Sequence, residues 1–449
     1  MTTPQPDLRS ELSATLRLAA PIALAQLGFI ALTLVDTAVV GKTSTTALAG
    51  ASIGRSLVFA VSSIGMGLGS AIEPLASQAL AAHEPERAWQ SVRRTVISVL
   101  WMWPVQVAIL FLATLVLPSL GVDAPTLSAA RANLVGQIPV LFFFPAFIAA
   151  KAFLQAGGHT RSVLVASILA NVVNWIACNL LVRGDDALRE VGLPALGLPA
   201  LGTFGAGLSA SISAAVMFGW LIRPCWQRRA SGPTPPPSYA HIFGLGLPMG
   251  LQLLAEVGVF SLVSFLAAKF GTTSVAAHQI ALGLASFSFM GALGVSGATA
   301  VRVGRAIGRG ESPRRAGMVG IAVGGAIMCV SIVVFTLAPL WLVTRFTTDT
   351  EVIRLGVPLI AVAALFQFFD GMQAVAGGAL RGAGDVRFAF LANVACHWGI
   401  GLPISIWLGF YAGWQIRGFW FGLCAGLVAV ALTMTARFFR VSGRAIQRV

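Results

Sequence analysis

Long apolar runs, separated by short polar breaks, fill this chain almost from end to end. Each is about 20 residues or longer, the length a helix needs to cross roughly 30 Å of hydrocarbon. The runs are continuous rather than alternately apolar and polar, so they predict helices and not the strands of a barrel. Twelve spans are predicted, near residues 14–40, 48–80, 92–119, 126–154, 161–182, 203–226, 241–269, 274–307, 315–344, 351–380, 386–411 and 415–439. The fold class that follows is an all-α polytopic membrane protein.

One segment interrupts the pattern outright. Trp226 to Tyr239 reads WQRRASGPTPPPSY, and its prolines predict a stiff, extended connector. It falls between the sixth and seventh spans, giving an expected N-lobe over 1–225, a linker over 226–239 and a C-lobe over 240–449. A second polar stretch, Arg183 to Leu201, reads as a long outer loop carrying Asp185, Asp186 and Glu190.

The two halves resemble each other. A shift of 226–227 residues brings the Leu-Ala-Ala-Pro ending at Pro21 onto the Leu-Gly-Leu-Pro ending at Pro248, and Glu84 and Arg87 onto Glu311 and Arg314. It also brings LQAGGHTR from Leu154 onto LRGAGDVR from Leu380, and the Phe142–Phe144 run onto Phe368, Phe369 and Asp370. Concordant offsets of this kind mark an internal repeat. Six spans per half is an even number, so both repeats share one orientation. They are expected to be related by a pseudo-two-fold along the membrane normal, as two six-helix lobes around a central cleft. That is the architecture of a secondary transporter.

Composition agrees with the spans. Of 449 residues 57% are hydrophobic and only 10% charged, against about 25% charged in an average soluble protein, and the mean hydropathy is +0.84. Lipid must face most of the surface. A net charge of +14 would point to nucleic acid in a soluble protein, but placing the basic residues changes its meaning. With both termini cytoplasmic, 21 of them fall on inside segments and nine outside, which accounts for all 30. This is the positive-inside bias, and no nucleic-acid partner is expected. The N-terminus to Ser13 lacks the features of a signal peptide, so the first apolar segment is expected to stay. The five cysteines are scattered and never spaced as a metal pair.

Of 16 acids, only Asp36, Glu73, Glu256 and Asp370 fall inside spans and away from loops. A charge at mid-membrane costs about 2.5–3.5 kcal/mol on the insertion scale, so each needs a partner, a watery cavity or a proton. The plain alternative is a structural acid bonded to a backbone donor or an arginine. Glu73 precedes Pro74 and reads equally as the mark of a kink. No Lys or Arg lies within the nearby turns of Glu256 or Asp370 along their own helices. Such carboxyls could cycle a proton or hold Na⁺ with neighbouring oxygens, and they supply negative charge for a cationic substrate.

His278 and Gln279 read either as a polar pair lining the cleft or as a packing contact. Neither His278 nor His397 has a His or carboxylate at the helical spacing of a metal site. Aromatics gather at Phe142–Phe144 and at Phe366, Phe368 and Phe369. Beside an acid they could cage a hydrophobic cation, with packing or lipid contact as the ordinary reading of any one of them. No nucleophile elbow, phosphate loop or zinc motif appears, so neither an enzyme, a cofactor nor an ATP-driven pump is expected.

Several stretches together carry a family resemblance: VDTAVVG (Val35–Gly41), LASQALAA at the end of the second span and FLQAGGHTR (Phe153–Arg161) in the first half. GLPMGLQLLAEVGVF (Gly246–Phe260), AAHQIAL (Ala276–Leu282) and LRGAGD (Leu380–Asp385) extend it through the second. The chain resembles the multidrug and toxic compound extrusion (MATE) family, in its NorM-like branch. The resemblance implies an exporter of organic cations or amphipathic drugs, driven by exchange for H⁺ or Na⁺. It implies a multi-pass protein of a bacterial plasma membrane, the inner one in a Gram-negative cell, working as a monomer amid membrane lipid.

Carried over by position, the resemblance assigns Asp36 and Asn174 to an N-lobe cation site. It assigns Glu256 and Asp370 to a C-lobe site, and Gln279 to a polar position on the eighth span. Na⁺ at Asp36 and Asn174, or at Glu256 and Asp370, stays open. Two departures bear on this: Cys178 and Ala210 stand where the family places oxygen ligands, and Ser209 and Ser211 are expected to point elsewhere. Fewer oxygens favour H⁺ over Na⁺. Two other transporter readings are weaker. The major-facilitator type lacks its Gly-Asp-Arg-Gly-Arg loop, since HEPERAWQSVRR stands there. A flippase for lipid-linked oligosaccharides would favour basic residues in the cleft.

Overall fold

The computed structural model describes residues 7–449. All twelve predicted spans appear as helices, eleven of them simple and one a bent pair, and no strand occurs among the described residues. In the first half the helices are α1 (Leu8–Gly41), α2 (Thr45–Ser70), α3 (Ile72–Ala81), α4 (Pro85–Val116), α5 (Ala124–Gln137), α6 (Val140–Ala156), α7 (Thr160–Arg183), α8 (Asp185–Glu190) and α9 (Gly202–Trp226). The second half holds α10 (Tyr239–Ala267), α11 (Thr272–Gly308), α12 (Arg314–Leu337), α13 (Pro339–Thr344), α14 (Thr350–Gly382), α15 (Val386–Cys396), α16 (Leu402–Ile406) and α17 (Gln415–Ser442).

Local chemistry sets the boundaries. Ser44 caps α2 by accepting the Ala47 N–H at 3.0 Å, and Asp349 caps α14 by accepting those of Glu351 and Val352. Such caps satisfy amides that the first helical turn leaves free. The fourth span bends by 44° between α5 and α6, where Pro139 removes a donor. The eleventh span relaxes into wider π turns at His397–Gly401 and Trp407–Tyr411.

Arg183 to Leu201 is more ordered than a loop. It contains α8, and the Asp185 carboxylate accepts the N–H groups of Leu196, Gly197 and Leu198 at 2.9–3.1 Å. Those bonds, with Leu198 first, hold its carboxyl below the ordinary carboxylate range. Glu190 is held low by its contact with Arg183, aided by Lys42. Between α9 and α10 the proline-rich linker carries neither helix nor strand. Arg94 of α4 donates to the Pro237 carbonyl at 2.8 Å and stacks over the Tyr239 ring.

Two compact units form, and neither follows a sequence half from end to end. One unit holds 27–72 and 84–250, so the linker and the start of α10 belong with most of the first half. The other holds the described chain to Gln26, then 73–83, then 251–449. The expected lobes, 1–225 and 240–449, therefore exchange ends.

Small residues explain how. Within one unit, Gly67 of α2 lies so close to Gly250 of α10 that no Cβ would fit; within the other, Gly294 of α11 lies as close to Ala23 of α1. Gly67 and Gly294 are 227 positions apart, and so are Ala23 and Gly250. The same contact is made once per repeat. Backbones that approach this closely gain dispersion contacts that lipid tails cannot supply.

Ion pairs secure the exchanged segment of the second unit. Glu11, 3% exposed, takes two bonds from Arg302, one of them 2.8 Å from Nε. Removing either partner would strand the other, at a cost of about 3–5 kcal/mol. In α3, Gln78 donates to the Gly382 carbonyl at 3.0 Å. The core of this unit is built on fully buried Phe366, Phe419 and Trp420.

Candidate functional site

Two sets of polar groups lie inside spans, one in each unit. In the first, Asp36 sits near the C-terminal end of α1. Asn174 of α7 donates from Nδ2 to the Asp36 Oδ1 at 2.9 Å. One helical turn further along α7, Cys178 is fully buried and hydrogen-bonds with Asp36 and also with Ser209 of α9. Arg55 of α2 contributes positive charge nearby. The Asn174 Oδ1 is buried and has no hydrogen-bond partner among the described residues. Ser209 was expected to point away, but the rotation of α9 turns it toward Cys178, while Ser211 does point elsewhere and donates to the Gly136 carbonyl at 2.6 Å.

The second set is centred on Glu256 of α10. Gln373 of α14 donates to its Oε1 at 3.1 Å, and Asn393 of α15 to its Oε2 at 3.2 Å. Asp370, 7% exposed, lies one turn before Gln373 on the same helix. It hydrogen-bonds with Gln373 and feels the Glu256 charge. The two carboxyls that sequence singled out on separate helices thus share one site, with a carboxamide between them. Arg381 contributes positive charge to Glu256 from a distance.

The remaining residues divide by environment. Glu73 is ion-paired with Arg381, its Oε2 3.1 Å from Nε, and Arg381 also donates to Ser296 at 3.0 Å. An arginine partner of this kind is what the plain alternative expects. His278 is fully buried: the Trp420 indole donates to its Nδ1 at 3.2 Å, and its Nε2 lies 2.8 Å from the Ser264 hydroxyl. An indole nitrogen only donates, so Nδ1 accepts and Nε2 carries the proton. Both nitrogens are engaged by neighbouring side chains. Its neighbour Gln279 is exposed. Phe369 is half-buried and meets Phe368 edge-on, with ring centres 5.4 Å apart.

Reading acids alone missed Gln373 and Asn393. The spacing from Asp370 to Gln373 was a usable signal, because residues three apart share a helix face. Asn393 lies 137 residues from Glu256 and only the fold brings them together. His397, one turn beyond Asn393, is buried with neither ring nitrogen bonded to a described residue. Among the described residues no cluster of three His, Cys, Asp or Glu side chains could hold a metal ion.

These features define a polytopic helical membrane protein with hydrogen-bonded carboxyls held inside its spans. The chain matches the MatE family over residues 21–180 and again over 248–407, two matches separated by 227 residues at both ends. The multidrug resistance protein NorM of Burkholderia vietnamiensis is 34% identical, over 96% of this chain and 95% of its own. The probable multidrug resistance protein NorM of Rhodopseudomonas palustris is 35% identical, over 97% and 93%. The crystal structure of the eukaryotic MATE transporter AtDTX14 has the same fold, with a TM-score of 0.84 over 96% of each chain at 20% identity. The chain belongs to the MatE family. The double match also accounts for the internal repeat.

Proposed function

We propose that this protein is a secondary active multidrug exporter, exchanging cationic or amphipathic organic compounds for a coupling cation by alternating access. The observation that carries this reading is the shared site of Glu256 and Asp370 around Gln373. Two carboxyls so placed can hold one proton between them. An organic cation entering beside them would displace that proton, and reprotonation would release the cation. The names of the NorM relatives support a drug substrate. A flippase for lipid-linked oligosaccharides would have to bring pyrophosphate against these same carboxylates, which disfavours it.

H⁺ is favoured over Na⁺ as the coupling ion. A hard cation takes oxygen ligands, and around Asp36 the Cys178 sulfur occupies one of the positions. The protein is assigned to a bacterial plasma membrane with both termini cytoplasmic, a reading supported by the basic residues, and to action as a monomer without a cofactor. The test is uptake of a cationic dye into everted vesicles, with pH and Na⁺ gradients imposed separately. An acid interior should drive uptake without Na⁺. A strict Na⁺ requirement overturns the coupling, and indifference to both gradients overturns the exporter.

A further inference from the structure

The outer faces of α4 and α5 enclose a groove of about 490 Å³, remote in sequence from every carboxyl of the candidate site. Its floor is apolar and closed, with Leu110 and Leu134 each 2% exposed. Its rim is apolar and open, with Leu112 and Leu115 exposed by 62% and 66%. One charged group lines it, Arg131 of α5.

Arg131 is exposed, yet it stands seven residues inside the start of α5, about 10 Å along the helix at 1.5 Å per residue. It makes no hydrogen bond or ion pair with any described residue. The acid nearest before it in sequence, Asp123, is occupied as the cap of α5, accepting the Thr126 N–H at 3.2 Å. A guanidinium set among apolar side chains near the end of a membrane-spanning surface can snorkel to the headgroup region, where an anion gives it a charge-assisted partner that the protein does not supply. That anion must come from outside the protein, with an apolar body to fill the groove below it.

We propose that this groove binds one anionic phospholipid, its phosphate on Arg131 and an acyl chain along Leu110, Leu134 and Ile138. Arginine suits the phosphate end because its planar fork makes paired, charge-assisted bonds to phosphate oxygens. The closed apolar floor suits the chain end and would contribute nothing to holding free phosphate. Snorkelling of Arg131 toward the α4–α5 turn places the phosphate at headgroup level. The occupant is therefore a lipid of the leaflet on that side of the membrane.

Native mass spectrometry of the purified full chain, with phosphatidylglycerol or zwitterionic phosphatidylethanolamine added, tests the proposal. One phosphatidylglycerol should remain bound at detergent concentrations that strip phosphatidylethanolamine. Arg131→Ala should loosen it roughly tenfold. Leu115→Trp should loosen it comparably, because it fills the groove and leaves the charge in place. Both substitutions lie on exposed surface, and monodisperse elution at an unchanged melting temperature in neutral detergent checks that the fold survives. Equal retention of the two lipids, unchanged retention in Arg131→Ala, or displacement by millimolar inorganic phosphate overturns the proposal. So does displacement by a cationic dye, which would make the groove a substrate site.

Discussion

Asn393 donates to Glu256 at 3.2 Å, and Asn174 donates to Asp36 at 2.9 Å from the corresponding pair of helices in the first repeat. The two bonds are not equivalent positions. Asp36 lies 15 residues after Pro21, whereas Glu256 lies eight after Pro248. Asn174 and Asn393 differ by the same seven residues when Arg161 is set on Arg387. Seven residues is close to two helical turns, so the same faces meet about 10 Å apart along the repeat. A carboxyl–carboxamide bond thus joins the same pair of helices in both repeats, at positions displaced along the helices. Phe29 and Ser167 occupy the first-repeat counterparts of Glu256 and Asn393.

Asp36→Asn should abolish dye efflux while the protein remains folded, because an amide keeps the shape of the site and cannot cycle a proton. Efflux in cells, read beside elution of the purified variant, checks this. Retained efflux would remove Asp36 from the coupling step.

Glu256→Gln and Asp370→Asn should each reduce export of a cationic substrate by at least roughly tenfold, about 1.4 kcal/mol of lost coupling. The double variant should be little worse than either, because groups that act as one unit are not additive. A neutral substrate should depend on them far less. Multiplying losses, or equal losses for cation and neutral compound, would mean the carboxyls act separately.

A cysteine introduced at Ser238 should resist a membrane-impermeant thiol reagent in intact cells, since the linker is assigned to the cytoplasm. A background lacking the native cysteines keeps the readout clean. Labelling from outside would invert the orientation.

Asp185 provides a pH test outside the membrane. Its carboxyl is held below the ordinary value by the Leu198 N–H, with those of Leu196 and Gly197. A folded pKa below the unfolded one gives stabilisation that is complete above the unfolded value and is lost as pH falls through the folded one. Hydrogen exchange at those three amides should thus stay slow, after correction for intrinsic rate, down to the unperturbed 3.8 and quicken only below it. Loss of protection by pH 6 would contradict the arrangement.

His397 carries two buried ring nitrogens without a described partner, a cost of about 1–3 kcal/mol per group in an apolar setting. His397→Leu should therefore leave the melting temperature unchanged or raise it. A fall equivalent to more than about 1 kcal/mol would mean that ring packing against Phe260, or ordered water on the nitrogens, outweighs that cost.

Every span was legible in the sequence, because a run of apolar residues long enough to cross a membrane has few other readings. The bend after Gln137 went unread although Pro139 stands there, and the π turns after His397 had no sequence cue beyond scattered glycines. Asp36, Glu256 and Asp370 stood out because charge in hydrocarbon is expensive. Gln373 and Asn393 did not, since amides cost less and their partners lie on other helices. Ser209 was misjudged because helical spacing fixes which residues share a face and not which way that face turns. The exchanged ends were hidden for a different reason: glycine and alanine are everywhere in this chain, and nothing in composition says which of them touch.

The contact of Ala23 with Gly294 has a consequence for how the protein is made. Ala23 leaves the ribosome 271 residues before its packing partner. At roughly 5–20 residues per second, that delay is about 15 to 50 s. Through it the start of α1 waits in the bilayer with Glu11 unpaired and its close-packing surface against lipid. The first half cannot complete its own assembly during synthesis, and expressed alone it would keep that vacant surface. The seat that Gly294 offers to Ala23 therefore exists only once α11 has been synthesised.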